Sequence, residues 1–210
     1  MRKIDTATWD RTAHFNSYVD AQFPYIIVGK DIDVTNIYRF ARGKGVSFTY
    51  CMIYAATKIA NEIPNFQYRM LNGEPYDIEH TVATNTHLKK GAETFSMVRC
   101  DDYDTMEEYA RKNREKADLP ADDVDPREAE FANDIISFSS IPWIRYTHFI
   151  RTVKTLGKDT NPKITFGKYE WEGDRLMMPF TLQVHHGLMD GLHTGRYFNR
   201  LEEYLAAGEF

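Results

Sequence analysis

One stretch constrains the fold more than any other. From residue 48 to residue 61 the chain reads Phe-Thr-Tyr-Cys-Met-Ile-Tyr-Ala-Ala-Thr-Lys-Ile-Ala-Asn, and apolar side chains fall on nearly every side of the implied helix. Ser47 stands before it as a cap and Pro64 closes it. A helix with no polar face has no side to turn to water, so the rest of the chain must enclose it. Strand patterns supply the cover. Residues 66–71 and 75–79 flank Asn72-Gly73, and residues 163–171 and 175–184 flank Glu172-Gly173-Asp174. Both are hairpin signals. Residues 82–88, 94–99, 135–139 and 144–150 add four more strands. Other helices are expected after Thr8, after Asp33 with Gly43 and Gly45 as the stop, and from Asp104, whose spacing to Glu107 resembles a capping box, to about Ala117. The last runs from Gly191 to about Ala206, with Leu192, Phe198, Leu201 and Leu205 inward and Gly208 as its end. Strands in the middle with helices at both ends predict an α/β (α+β) two-layer sandwich. Its sheet is mixed but mostly antiparallel, with helices packed on one face.

The 210 residues suit a single domain spanning 1–210. Residues 117–127, rich in Asp and Pro, read as one long surface loop. Lysine and arginine total 26 against 31 acidic residues, which argues against nucleic acid and against a polybasic membrane patch. The longest uncharged run, residues 45–57, is too short to span a bilayer. The first residues lack the apolar stretch of a signal peptide, and two cysteines cannot make a disulfide framework, so a cytoplasmic setting is expected.

Chemistry concentrates at His185-His186-Gly187-Leu188-Met189-Asp190-Gly191, where an apolar strand passes into a helix. An imidazole is largely neutral at pH 7 and accepts a proton readily. Glycines there allow close approaches that a side chain would block. His186, Asp190 and His193 are donors at helical spacing, but no second shell or fourth ligand accompanies them, so no metal is expected.

This segment resembles the HHxxxDG signature of the chloramphenicol acetyltransferase family. The similarity extends through Trp9-Asp10-Arg11-Thr12-Ala13-His14-Phe15, Asn72-Gly73-Glu74, Glu93-Thr94-Phe95-Ser96, Ser139-Ser140-Ile141-Pro142-Trp143, Thr165-Phe166-Gly167-Lys168-Tyr169 and residues 173–179. The resemblance implies a CoA-dependent acyltransferase fold and a homotrimer with active sites between subunits. It implies acetyl-CoA as co-substrate, a small hydroxyl acceptor such as chloramphenicol, and no tightly bound cofactor. By the same resemblance His186 is the general base, its tautomer held by its own backbone carbonyl. Ser139 donates to the oxyanion and Thr165 holds a water. Asp190 pairs with Arg11 to support the loop, Tyr18 and Phe149 shape the acceptor pocket, and Lys168 meets the CoA 3′-phosphate. His185 is expected to be structural.

Some positions depart from the family pattern. Ser47 stands where a second CoA-facing lysine is common, with Lys44 nearby as a substitute. Ser17 replaces an aromatic of the acceptor pocket, and Arg151 replaces a leucine. Two other readings therefore stand beside the first. One is an acyltransferase of the same fold with another alcohol or thiol acceptor, and the other is a trimeric binding protein without turnover.

Overall fold

The computed structural model describes residues 1–119, 132–153 and 158–210. The enclosed helix is its centre. Helix α3 (Phe48–Asn61) starts where Ser47 Oγ accepts the Tyr50 N–H, and it buries residues on every turn, among them Tyr50, Met52, Ile53, Ala56 and Ile59. Three helices, α2 (Thr35–Lys44), α4 (Met106–Asp118) and α5 (Gly191–Ala207), pack around it. Helix α1 (Thr12–Tyr18) is short and lies near the amino terminus.

On its remaining side α3 meets a seven-stranded sheet. The strands are β2 (Tyr25–Asp33), β5 (Val82–His87), β6 (Ser96–Arg99), β7 (Ile135–Ile141), β8 (Lys163–Gly167), β9 (Glu170–Glu172) and β10 (Arg175–His185). Their order is β2-β10-β8-β7-β5-β6, with β9 also paired to β10. Strand β7 runs parallel to β5 and β8, and every other pair is antiparallel. A small sheet orders β1 (Arg2–Lys3), β4 (Glu74–Asp77) and β3 (Tyr68–Leu71). The two-layer mixed sheet with helices on one face is thus the observed architecture.

The faces of the large sheet differ because side chains alternate along a strand. Ile136, Phe138, Ile164, Phe166, Phe180 and Leu182 are buried toward the helices, where Phe180 meets Phe198 of α5 at 5.6 Å between ring centroids. Ser139, Thr165 and Thr181 lie side by side on the opposite face. That polar face carries the site.

Several local expectations shift. Thr8 caps nothing; Arg11 precedes α1 without a side-chain cap, since a guanidinium has no acceptor for a backbone N–H. Thr105, not Asp104, caps α4 by accepting the Glu108 N–H. Asp33 accepts the Thr35 N–H, although Val34 is the residue next to α2. The Asn72-Gly73 turn forms with positive φ at both residues, as a two-residue hairpin requires, but residues 64–67 are a 3₁₀ turn and not strand. Lys168 and Tyr169 interrupt the strand expected over 163–171. Leu192 is exposed on the first turn of α5.

The largest correction is residues 144–150, which form no strand. They cross the polar face of the sheet as a cover. The Tyr146 hydroxyl donates to the Thr165 carbonyl at 2.7 Å, and Arg145 pairs with Asp31 and Glu172. Strand β2 was not anticipated, yet it pairs with β10 over its whole length. Of the expected loop at 117–127, Ala117 and Asp118 end α4 and residues 120–127 lie outside the described residues.

Candidate active site

Strand β10 ends at His185 and α5 begins at Gly191, so residues 186–190 form a short connection between two rigid elements. Arg11, 7% exposed, holds it. Its Nε donates to the Gly187 carbonyl at 3.1 Å, one terminal nitrogen to the His186 carbonyl at 2.9 Å, and the other to Asp190 Oδ2 at 2.9 Å. A planar five-donor fork suits three acceptors in one plane, which an ammonium could not match. Asp190 is bound twice more: Oδ1 accepts the Leu192 N–H at 3.0 Å, which caps α5, and lies 2.9 Å from His193 Nδ1. Burial by itself pushes the Asp190 carboxyl up. The Arg11 hydrogen bond, the neighbouring His193 and the Leu192 N–H outweigh it and bring it down to about 2.

Inside this frame His186 is half-buried and its Nδ1 lies 3.2 Å from the Met189 carbonyl. The Met189 carbonyl thus supports the ring at Nδ1, and Arg11 donates to the His186 carbonyl from which that support was expected. A carbonyl only accepts, so Nδ1 carries the proton and Nε2 keeps its lone pair. Tyr18 stacks on the imidazole with centroids 4.2 Å apart and planes 22° from parallel. His185 is buried, and its Nδ1 accepts the Gly187 N–H at 3.1 Å. A side chain at Gly187 would stand 3.1 Å from the His185 ring, so that glycine allows a close approach, whereas a Cβ at Gly191 would meet nothing.

A second group gathers elsewhere. Ser139 lines a cavity of about 550 Å³ together with Thr86, Trp143, Phe149 and Arg151. Its hydroxyl is 3.1 Å from that of Thr86, a partner the sequence reading missed although Thr84 and Thr86 alternate on β5. Thr165 is buried beside Ser139 on β8 and does not line the cavity. Lys168 is exposed and paired with Glu170 at 3.0 Å, away from both groups. Of the residues that depart from the family pattern, Ser47 caps α3 and lines the cavity, Lys44 is paired with Glu107, and the Ser17 hydroxyl donates back to the Ala13 carbonyl. Among the described residues no group of three or more His, Cys, Asp or Glu side chains could hold a metal ion, and no helix is long and apolar enough to cross a membrane.

His186 and Tyr18 do not line the Ser139 cavity. Ser139 is in register with Thr165, and Thr165 with Thr181, five positions before His186. That separation is about 16 Å along the strands and about 10 Å across two strand spacings. Within one chain the imidazole and the Ser139 hydroxyl are too far apart to touch one reacting centre.

The chloramphenicol acetyltransferase family model matches residues 1–202. The chain belongs to the chloramphenicol acetyltransferase family. Its enzymes are acetyl-CoA-dependent acyltransferases. The chain is 26% identical over 208 residues to a chloramphenicol acetyltransferase of Proteus mirabilis, covering 98% of this chain and 94% of that protein. It is 27% identical over 201 residues to chloramphenicol acetyltransferase 2 of Escherichia coli, covering 95% and 94%. A solved chloramphenicol acetyltransferase superposes with a TM-score of 0.88 at 26% identity, covering 98% of this chain and all of the other. The cubic core of the pyruvate dehydrogenase multienzyme complex shares the fold, with a TM-score of 0.68 at 18% identity over 92% of this chain and 86% of the other.

Proposed function

We propose that residues 1–210 form one catalytic domain that moves acetyl from acetyl-CoA to a hydroxyl of a small molecule, with His186 as general base. The observation that carries this reading is the Met189 carbonyl at His186 Nδ1, which leaves Nε2 as acceptor. Nε2 takes the hydroxyl proton as that oxygen attacks the thioester carbonyl. The tetrahedral oxyanion receives a hydrogen bond from Ser139, then collapses and expels the CoA thiolate, which takes the proton back from Nε2. Thr165 holds a water near the intermediate, Tyr18 and Phe149 wall the acceptor, and Lys168 meets the CoA 3′-phosphate. Arg11 and Asp190 keep the loop in place. No step calls for a metal or a bound cofactor.

The separation of His186 from Ser139 in one chain supports a site assembled between subunits, and a trimer is the closed assembly that goes with this reading. Chloramphenicol, acetylated at its primary hydroxyl, is the acceptor this reading takes from the relatives, and antibiotic resistance is the effect. A cytoplasmic enzyme fits that role.

The test mixes His186→Ala and Ser139→Ala subunits after unfolding and refolding together, then measures CoA release with acetyl-CoA and chloramphenicol. Each variant alone loses about 10²-fold or more in kcat. Mixed trimers regain activity, because a site pairing the intact histidine of one subunit with the intact serine of the next is complete. His186→Ala retaining more than about a tenth of the wild-type rate contradicts the base assignment. Mixtures no more active than the separate variants contradict the shared site. The chain's own acceptor cavity favours a second reading, an acceptor other than chloramphenicol, because a cation lines it.

A further inference from the structure

Three cations gather near the start of β7 and β8, and one of them meets a carboxylate among the described residues. Arg69 is fully buried, and its guanidinium meets the Phe66, Tyr68 and Ile135 carbonyls and the Asn161 side chain, with no carboxylate in contact among the described residues. Lys163, also buried, is neutralised by Asp159 at 2.7 Å. Asp134 is taken by Arg99 at 2.6 Å. Arg151 is the third cation, and it alone of the three lines the Ser139 cavity. Its backbone is pinned by Gln183, whose Oε1 accepts the Arg151 N–H at 2.9 Å, and one terminal nitrogen donates to the Ser137 carbonyl at 2.8 Å. Among the described residues most of the five guanidinium donors have no further partner. Among the described residues no carboxylate lies within ion-pair distance of it. Burial lowers Arg151 to about 10, partly offset by the field of Asp159, so it stays cationic at neutral pH.

The other charges on the cavity do not answer it. Arg114 is bound to Asp118 at 2.9 Å, and Glu93 is exposed. Phe95, Trp143 and Phe149 add aromatic surface to a lining that is otherwise largely polar. Ser137 and Ser139 lie on one face of β7, about 7 Å apart for two positions of strand. A guanidinium tied to the Ser137 carbonyl therefore stands within the length of a small aromatic molecule from the Ser139 hydroxyl.

Resting on the acyltransferase reading above, we infer that Arg151 selects the acceptor: an aromatic alcohol carrying a carboxylate, held by the guanidinium while its hydroxyl reacts beside Ser139. A carboxylate supplies the acceptors that the fork lacks and the negative charge that the buried cluster lacks. A neutral acceptor leaves both unmet.

The probes are para-(hydroxymethyl)benzoate and its neutral near-isostere para-(hydroxymethyl)benzamide. Calorimetry measures their binding, and that of acetyl-CoA, to the assembled wild-type protein, Arg151→Leu and Arg151→Lys. The benzoate is expected to bind wild type about tenfold or more tightly than the amide. Arg151→Leu abolishes the preference, Arg151→Lys keeps part of it, and acetyl-CoA binds all three alike. If the leucine variant fails to fold, Arg151→Gln, which keeps a donor for the Ser137 carbonyl, gives the same comparison. Equal binding of the two probes, no measurable binding of the benzoate, or a preference that survives without the guanidinium overturns the inference. Loss of acetyl-CoA affinity in the variants also overturns it, since the cation then serves a coenzyme phosphate. CoA release in the same samples separates the two claims. Absent release with every acceptor refutes the acyltransferase reading while the binding preference stands or falls by itself.

Discussion

Asp190→Asn removes a charge and one of two acceptor oxygens, and sets an amide NH2 against the Arg11 guanidinium, donor against donor. Asparagine caps a helix about as well as aspartate, so the bond to the Leu192 N–H survives. The loss is the attraction between the carboxylate and the buried Arg11 guanidinium. The carboxyl sits at about 2 against an ordinary 3.8. At about 1.4 kcal/mol per pKa unit this corresponds to at most about 2.5 kcal/mol. The side chain keeps 30% of its exposure, so solvent screening reduces that, while the unanswered guanidinium left behind adds some back. A net loss of about 1–2 kcal/mol lowers Tm by about 3–6 °C in a chain of this size. The folded carboxyl is more acidic than the unfolded one. Its stabilisation is therefore complete above about pH 4 and drains away as pH falls toward about 2. The gap between wild type and variant should stay level across neutral and mildly acidic pH and narrow only in strong acid. Thermal melts at fixed protein concentration, run beside CoA release, measure both consequences. An unchanged Tm with abolished turnover refutes the anchoring role, and so does a gap that widens on acidification.

Three further outcomes follow from the same geometry. Ser139→Ala should cost about 10²–10³ in kcat with Tm unchanged, because among the described residues the hydroxyl bonds only its neighbour Thr86; an equal rate in steady-state assays removes Ser139 from the oxyanion. Lys168→Ala should raise KM for acetyl-CoA while leaving kcat, and the effect should fade with added salt, as expected of an exposed point charge. Cys51 and Cys100 are buried and their thiols are pushed up to about 12, chiefly by burial, so iodoacetamide should label neither in the folded protein at neutral pH; intact mass before and after denaturation checks this.

What the sequence reveals and conceals about this protein follows from locality. The enclosed helix, the Asn72-Gly73 turn and the strand-to-helix junction at residues 185–191 depend on neighbours a few positions away, and they are legible. The Arg11–Asp190 pair spans nearly the whole chain and was legible through family resemblance alone. Residues 144–150 have strand composition, but the sheet's polar face needed a cover more than it needed another strand, and tertiary demand prevailed. Strand β2 went unseen because Gly29, Lys30 and Asp31 interrupt its apolar run; its pairing partner decides its state. The contact of the His186 ring with the Met189 carbonyl was hidden because the five-residue connection is held by Arg11, a residue 175 positions away. The partition of His186 and Ser139 into separate neighbourhoods was invisible, since it depends on strand order and register.

The three bonds of Arg11 join the eleventh residue to a loop that ends twenty residues before the carboxyl terminus. Arg11 must therefore wait for a loop synthesised about 175 positions later before it can brace His186. Loss of either partner removes one half of that brace, so the connection at 186–190 is held only when both distant segments are present. Two fragments cut at a surface site between them would stay silent apart and work only once reunited.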